Sequence, residues 1–272
     1  MSHILVIGEK INASNSSVIE AIDKKDEGFI KNLAKAQADA GADFIDVNAG
    51  IDCSNPQDEI DTMEWLMELA QTATDKPLSI DSDDADVIET ALSKYRGESL
   101  IINSVTAEPE RLESIGSLAA KSRSWVVALA MGTDGIPERA EHRLALCDVI
   151  MTRLTKMGIE ADKILFDPLV LPIAVDHRQA QVTLNTIEKI KLHYPTSKTV
   201  IGLSNISYGM PHRKLINRSF LTMAIYAGLN AVIMDPLDVK TMGIIKVTNM
   251  LMGRDPLCRE YLRSDRRGNI ID

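Results

Sequence analysis

The chain has 272 residues, with 30 Lys and Arg against 39 Asp and Glu, so its formal charge is −9. This acidic balance argues against binding duplex nucleic acid through a basic face. An aromatic content of 4% argues against a stacking surface for single strands. No apolar run approaches the roughly 18 residues that a membrane span requires. The first residues lack a basic flank with a long apolar stretch, so we expect a first strand there and not a signal peptide.

The three cysteines, Cys53, Cys147 and Cys258, lie far apart and form no CxxC motif. This spacing argues against a disulfide framework and against a cysteine-rich zinc site. We therefore expect a reducing, cytoplasmic location.

Eight short apolar runs recur along the chain, and the segments between them have helical periodicity. The runs are residues 4–8, 44–47, 78–80, 100–102, 125–129, 164–166, 200–203 and 231–234. Because the runs are continuous and not alternating, they predict parallel strands that are buried on both faces.

Eight strand–helix units fit either a closed (βα)8 barrel or an open doubly wound sheet. The strand count and chain length favour the barrel, and the first turn, Gly8-Glu9-Lys10-Ile11-Asn12, lacks the GxGxxG pattern of a nucleotide-binding sheet. We predict a single-domain α/β TIM barrel over residues 1–252. The charged, Gly- and Pro-containing residues 253–272 are expected to form a C-terminal extension.

Polar residues follow most of the predicted strands, and the carboxyl ends of barrel strands meet at one mouth. One such residue is usually a helix cap or turn former, and we keep that interpretation for Asp83, Asp84 and Asp235. The recurrence of polar residues at the ends of several strands indicates a binding site at the mouth. The scarcity of His and Cys among these residues argues against a transition-metal site. The candidate residues after strands two, three, four, six and seven are Asp46, Asn48, Asp81, Asn103, Asp167, Ser204 and Asn205.

Carboxylates interleaved with amides suit a neutral heterocycle with several donors and acceptors. A carboxylate can accept two parallel hydrogen bonds from an amino group beside a ring N–H, an edge that guanine and pterin share. The five histidines form no nucleophile–base pair with a Ser or Cys motif, which argues against a hydrolase.

Six motifs occur in an order that resembles the pterin-binding methyltransferases. Within that superfamily the chain is most similar to methyltetrahydrofolate:corrinoid/iron–sulfur protein methyltransferases and to the folate domain of cobalamin-dependent methionine synthase. The resemblance covers roughly residues 1–252. The motifs are GEKIN at 8–12, DVNAG at 46–50, IDS at 80–82, INS at 102–104, FDPLVLP at 166–172 and GLSNIS at 202–207.

The resemblance implies a TIM barrel, commonly a homodimer, that moves a methyl group between N5 of tetrahydrofolate and the cobalt of a corrinoid. The resemblance also implies that a separate protein carries the corrinoid. In agreement with this expectation, residues 176–180 (Asp-His-Arg-Gln-Ala) lack the spacing of the corrinoid-binding DxHxxG motif. We expect transfer from the methylcorrinoid to tetrahydrofolate, which would make the protein an enzyme of one-carbon metabolism.

Residue roles follow from the same resemblance. Asp81, Asn103 and Asp167 match the residues that anchor the pterin, and Gly202 and Ser204 match residues that line it. Asn205 matches the asparagine beside N5, and Asp46 and Asn48 are expected to line or brace the pocket. Asn205 is the expected catalytic residue. Arg213 is a candidate for the glutamate tail of the folate.

Two residues depart from the family pattern. Lys10 stands where many relatives have Arg, and Tyr208 stands where the corrinoid/iron–sulfur enzymes often have Gln at a pterin contact. The Tyr208 departure indicates a subgroup with a different corrinoid partner.

Two other functions remain as alternatives. A dihydropteroate synthase also anchors a pterin with Asp and Asn, but its second-strand loop carries an Arg for diphosphate, and residues 48–53 contain none. The second alternative is a non-catalytic folate-binding module. A methyl-transfer assay discriminates between an enzyme and such a module.

Overall fold

The computed structural model describes residues 3–50 and 56–271. In this part of the chain it comprises eight strands, ten α-helices and three short 3₁₀ helices. The strands and α-helices are β1 (Leu5–Asn12), α1 (Ser16–Asp23), α2 (Glu27–Asp39), β2 (Phe44–Asn48), α3 (Pro56–Ala73), β3 (Leu78–Asp81), α4 (Ala85–Lys94), β4 (Leu100–Val105), α5 (Pro109–Ser122), β5 (Trp125–Leu129), α6 (Ala140–Lys156), β6 (Ile164–Asp167), α7 (Gln179–His193), β7 (Lys198–Gly202), α8 (Arg213–Ala227), β8 (Ala231–Met234), α9 (Val239–Leu251) and α10 (Arg259–Arg266). The 3₁₀ helices are Ala161–Lys163, Leu203–Ser207 and Pro256–Cys258.

The strands close into one parallel barrel in the order β1 to β8, so the predicted TIM barrel is confirmed. Each strand pairs with its neighbours in the sequence, and β8 returns to pair with β1. The outer faces of the strands pack against the helices through two large groups of buried aliphatic side chains. This double burial explains why the strands have continuous apolar sequences.

The interior of the barrel changes from apolar to polar along its axis. Side chains such as Ile7, Ile101 and Val127 form a small apolar cluster inside the barrel. At the amino-terminal end the rings of Phe44 and Trp125 pack with centroids 6.0 Å apart. The polar candidate residues follow at the carboxyl ends of the strands, so the apolar cluster forms the floor beneath them.

The first strand is longer than its predicted range, which ended at residue 8. It continues to Asn12, with a shift in its register against β2 between Gly8 and Ile11. The buried side chain of Gln37 accounts for this irregular course, because its Oε1 accepts a hydrogen bond from the Lys10 backbone at 2.9 Å. A Cβ atom on Gly8 would lie only 2.6 Å from the same oxygen, so this close approach requires glycine.

Local capping is consistent with the sequence pattern. Asp84 caps α4 by accepting a hydrogen bond from the Asp86 backbone at 2.7 Å, which confirms its predicted role. Asp235 forms a turn by accepting from the Leu237 backbone at 2.9 Å. No helix in the described ranges has both the length and the apolar character to cross a bilayer.

Candidate functional site

Four polar residues lie side by side across adjacent strands at the mouth of the barrel. Asn12 is in register with Asn48, Asn48 with Asp81, and Asp81 with Asn103. The Asn48 amide donates to Asp81 Oδ2 at 2.9 Å, and its carbonyl oxygen accepts from the Gly50 backbone at 3.0 Å. Asn48 therefore fixes the orientation of the Asp81 carboxylate from the neighbouring strand.

A second polar layer lies one step deeper, where Asp46 of β2 is in register with Ser79 of β3. Both side chains are buried, and Asp46 Oδ1 and Ser79 Oγ have no hydrogen bond of good geometry within the described part of the chain. Ser79 and Asn103 nevertheless lie close enough to the Asp46 carboxyl group to lower its pKa. Buried polar atoms are normally satisfied, so unsatisfied ones beneath the mouth fit a site that is completed by a polar ligand or water.

Burial raises the pKa of Asp46 well above its usual range, and the negative charge of Asp81 raises it further. Burial also raises the pKa of Asp81, while the hydrogen bond from Asn48 opposes that change. Both carboxyl groups are therefore protonated more easily than an ordinary aspartate. A ligand that donates hydrogen bonds would stabilise their ionised forms.

The fourth strand contributes Asn103, whose side chain is buried. Next to it, Arg111 of α5 donates to the Ser104 carbonyl oxygen at 3.3 Å and lies 3.7 Å from the exposed carboxylate of Asp83. The positive charge of Arg111 lowers the pKa of Asp81. Arg111 was not singled out by the sequence analysis, because an Arg in a first helical turn has no distinguishing signal.

The sixth strand contributes Asp167, which is buried at the carboxyl end of β6. Its Oδ1 accepts a hydrogen bond from the Leu169 backbone at 2.7 Å. Burial raises the pKa of Asp167 to about 7, although this hydrogen bond and the charge of Arg143 oppose the change. The charge of the Asp167 carboxyl group therefore changes within the physiological pH range.

Asn205 lies in the 3₁₀ helix that follows β7, and its side chain is exposed to solvent. In the closed barrel β7 stands opposite β3, so Asn205 lies across the mouth from Asp81. A Cβ atom on Gly202 would be 3.3 Å from Asn205 Nδ2, so glycine at the strand end leaves room for this amide.

Ser204 joins this loop to the first strand, because its hydroxyl donates to Glu9 Oε1 at 3.2 Å. Burial raises the pKa of Glu9, and the hydrogen bond from Ser204 opposes that change. The sequence analysis noted Glu9 only as part of the first turn, but the extended β1 places its carboxyl group at the mouth.

Arg213 at the start of α8 braces the same loop. Its guanidinium group donates to the Ser204 carbonyl oxygen at 2.8 Å and to Ser207 Oγ at 3.1 Å. It also lies 5.9 Å from the centre of the Tyr208 ring, which is 67% exposed. Part of the donor capacity of Arg213 is therefore used within the protein.

Lys10, the first departure from the family pattern, forms an ion pair with Asp235 at 3.1 Å. This contact joins β1 to the loop after β8 at the rim of the mouth. Among residues 3–50 and 56–271, no group of three or more His, Cys, Asp or Glu side chains is arranged to hold a metal ion. Residues 51–53 of the loop after β2 lie outside the described residues. The argument that this loop lacks an Arg for diphosphate therefore rests on the sequence alone.

The structure places all ten predicted site residues at the carboxyl ends of strands or in the segments that follow them. These are Asp46 and Asn48 at β2, Asp81 at β3, Asn103 at β4, Asp167 at β6, and Gly202, Ser204, Asn205, Tyr208 and Arg213 at and after β7. The arrangement provides carboxylates and amides on one side of the mouth and an exposed amide on the other. It can hold a flat, multiply hydrogen-bonded ring and present one edge of that ring to Asn205.

Comparisons with known proteins agree with this geometry. The chain matches the family model of pterin binding enzymes over residues 8–235. It is 35% identical over 269 residues to a methylcorrinoid:tetrahydrofolate methyltransferase of Eubacterium limosum, with 98% of each chain covered. It is 29% identical to methionine synthase of Mycobacterium tuberculosis over 85% of this chain, which corresponds to 20% of that enzyme.

Solved structures show the same fold. The 7,8-dihydropteroate synthase from Vibrio fischeri superposes with a TM-score of 0.71 at 20% identity, covering 93% of this chain and 95% of that one. The dihydropteroate synthase from Stenotrophomonas maltophilia gives a TM-score of 0.69 at 17% identity, with 92% and 93% covered. The match over most of the barrel and the polar mouth lead to one conclusion: this chain is a member of the pterin-binding enzyme family.

Proposed function

We propose that this protein is a methyltransferase that transfers a methyl group from a methylcorrinoid, carried by a separate protein, to N5 of tetrahydrofolate. The observation that carries the proposal is the row of Asn48, Asp81 and Asn103 in register at the mouth, above the buried carboxyl group of Asp46. The similarity of the whole chain to a methylcorrinoid:tetrahydrofolate methyltransferase supports this particular reaction.

Asp81, Asn103 and Asp167 are the proposed pterin anchors. Each carboxylate can accept hydrogen bonds from the amino and N–H groups at the pterin edge, and the Asn103 amide can both donate and accept. Binding such donors would stabilise the ionised carboxylates, whose pKa values burial raises.

Methyl transfer requires the N5 lone pair to attack the methyl carbon. The new N–C bond forms as the Co–C bond breaks, both electrons of the Co–C bond remain on cobalt, and the proton of N5 is released. Asn205 is suited to stabilise the positive charge on N5, because its carbonyl oxygen can accept a hydrogen bond from the protonated nitrogen. The same contact would assist the reverse reaction, in which positive charge on N5 improves the leaving group.

The exposed position of Asn205 and Tyr208 suits a second macromolecule that brings its corrinoid to the mouth. The chain itself has to position the folate and leave this side open, since the corrinoid supplies the difficult chemistry. The partner we propose is therefore a corrinoid protein, and the proposed location is the cytoplasm.

A homodimer is also part of the proposal. Large apolar side chains are exposed on adjacent helices α7, α8 and α9, including Leu192 at 87%, Tyr226 at 77%, Leu251 at 74% and Met223 at 50%. An exposed apolar surface of this kind is typical of a protein–protein interface. A second copy of the chain is the occupant we propose, because a subunit contact on these helices leaves the mouth free.

The test is an anaerobic assay with tetrahydrofolate and methylcob(III)alamin, in which the absorbance of the cobalt product is followed. We expect transfer by the native chain and at least a tenfold loss in Asp81→Asn. Folate binding without turnover, even with corrinoid proteins, would support the non-catalytic module. Condensation of a pterin diphosphate with p-aminobenzoate would support a dihydropteroate synthase.

A further inference from the structure

Arg143 on α6 is the largest of the fully buried side chains in the described part of the protein. Four neutral oxygens accept its hydrogen bonds: the carbonyls of Pro137 at 2.8 Å, Pro168 at 2.7 Å and Leu169 at 2.7 Å, and Gln179 Oε1 at 3.3 Å. A buried guanidinium is costly unless its donors are satisfied. The four acceptors meet this requirement, and they come from three separate segments of the chain.

Two of these carbonyl groups belong to the residues directly after Asp167. Leu169 has a left-handed backbone conformation, with φ of 65°, which is uncommon for a residue with a side chain. Its carbonyl accepts from both Arg143 and Thr183 Oγ1, at 2.7 and 3.2 Å, while its N–H donates to the Asp167 carboxylate. Arg143 thus holds the peptide that orients the carboxylate.

The charge of Arg143 also acts on Asp167. Burial raises the pKa of Asp167 to about 7, and the charge of Arg143 is one of the two influences that oppose this change. The reciprocal influence is present, because the Asp167 charge opposes the lowering of the Arg143 pKa by burial. Burial raises the pKa of the Cys147 thiol, one turn further along α6, and the charge of Asp167 contributes to that rise.

Arg143 also contacts the loop between β5 and α6 through Pro137, and α7 through Gln179. One guanidinium therefore connects the loops after β5 and β6 at the mouth. We propose that Arg143 is a positioning residue that holds the Asp167 carboxylate in the orientation and charge state needed to bind a pterin. This inference rests on the proposed function, in which Asp167 is a pterin anchor.

A double-mutant cycle tests the proposal, with Arg143→Gln, Asp167→Asn and the combined variant. The readouts are the KM for tetrahydrofolate, kcat, and the Kd for tetrahydrofolate from pH 6 to pH 9. We expect Arg143→Gln to raise KM about tenfold or more with kcat changed less than about threefold, since binding is affected and the reacting atoms are not. The pH at which binding reaches half its maximum should rise, because the pKa of Asp167 loses an opposing charge.

The cycle separates a positioning role from a structural role. In the Asp167→Asn background, Arg143→Gln should change the KM less than about twofold, because the two residues act as a unit. Arg143→Lys keeps the charge but not the planar fork of donors. It should retain the native pH dependence while recovering only part of the affinity. Thr183→Val, which removes the other donor to the Leu169 carbonyl, should weaken binding without shifting the pH dependence.

Arg153→Gln is the matched control, since Arg153 lies on the same helix in a surface ion pair with Glu113. Circular dichroism and thermal unfolding establish whether each variant folds, and Arg143→Lys and Thr183→Val replace Arg143→Gln if that variant does not. Equal effects of an Arg143 substitution in both backgrounds would overturn the positioning role. If Asp167→Asn itself leaves tetrahydrofolate binding intact, the pterin-anchor assignment fails instead.

Discussion

The hydroxyl of Ser204 donates to the carboxyl of Glu9 at 3.2 Å, although the two residues are 195 positions apart in the sequence. The contact joins the loop after β7 to β1 across the strand between them, so it fixes the loop that carries Asn205. Because the barrel closes, residues from both ends of the chain meet at the same mouth.

Removing this contact should change the acidity of Glu9. In Ser204→Ala we expect the pKa of Glu9 to rise, because burial already raises it and the variant lacks the donor that opposes that change. A ¹³C NMR titration of protein with labelled Glu carboxyl groups measures this directly. Ser219→Ala, which changes an exposed serine on α8, is the control. An unchanged Glu9 titration in Ser204→Ala would contradict the structural contact.

Asp167 should make the protein less stable as the pH rises from about 4 to about 7. Its pKa is raised from 3.8 to about 7, so the unfolded chain loses the proton first and is favoured throughout this interval. Three pKa units correspond to an upper limit of about 4 kcal/mol. Below about pH 3 both states are protonated, and above about pH 8 both are ionised, so the loss is then complete.

Asp167→Asn removes this titration, so the stability of the variant relative to the native chain should increase between pH 4 and pH 8. Urea unfolding at several pH values measures the difference, and Asp46, Asp81 and Glu9 contribute equally to both proteins. Asp162→Asn, at an exposed position, serves as the control. A difference that stays constant across this pH range would contradict the prediction.

Asn205→Ala should lower kcat/KM for methyl transfer by about 10²-fold, since it removes the acceptor for a proton on N5. Its side chain is exposed, so the free energy of unfolding should change by less than about 0.5 kcal/mol. Steady-state kinetics and urea unfolding provide the two measurements. Asn185→Ala on α7, whose side chain accepts from Gln181 at 2.8 Å, is the matched control. Full activity of Asn205→Ala would remove this residue from the proposed mechanism.

Arg213→Lys distinguishes two roles for this side chain. If Arg213 braces the loop through its contacts with Ser204 and Ser207, the lysine variant should be as impaired as Arg213→Ala, because one ammonium cannot reproduce the fork. If its charge meets the glutamate tail of the folate, lysine should restore affinity. We expect the first result, measured as the KM for tetrahydrofolate with one and with several glutamates. A loss confined to the polyglutamate form would support the tail contact.

Tyr226→Glu should shift the protein from dimer to monomer in analytical ultracentrifugation, because it places a charge within the exposed apolar face of α8. Tyr208→Glu provides a comparison, since Tyr208 is also exposed but lies at the mouth. Monomeric native protein, or a dimer unaffected by Tyr226→Glu, would contradict the proposed interface.

The sequence was sufficient to predict the barrel, and it places the candidate site at the carboxyl ends of the strands. Eight apolar runs with helical segments between them predict parallel strands, because parallel neighbours require a crossover after each strand. The strand count and the chain length then favoured a closed barrel over an open sheet. Because the carboxyl ends of barrel strands meet at one mouth, the sequence also predicts that Asp81, Asn103 and Asp167 lie near one another. The end of β1 was missed because its extension depends on Gln37, which is buried against it from α2.

Arg143 shows a different limit. It occupies a buried helical position in line with Ala140, Cys147 and Leu154, a pattern that could have marked it as an unusual arginine. The pattern could not show which oxygens satisfy the guanidinium, since those belong to the β5–α6 loop, the segment after β6 and α7. Likewise, nothing local in the sequence pairs Glu9 with Ser204.

The amino-acid sequence by itself determined the number of strands, their positions along the chain and the chemical types at their ends, because periodicity and residue type are local properties. Only the tertiary structure decided which carboxyl groups are buried together, which donors orient them and in which direction their pKa values move. Those properties depend on distance and solvent exclusion between segments that are remote in the chain, and barrel closure sets both.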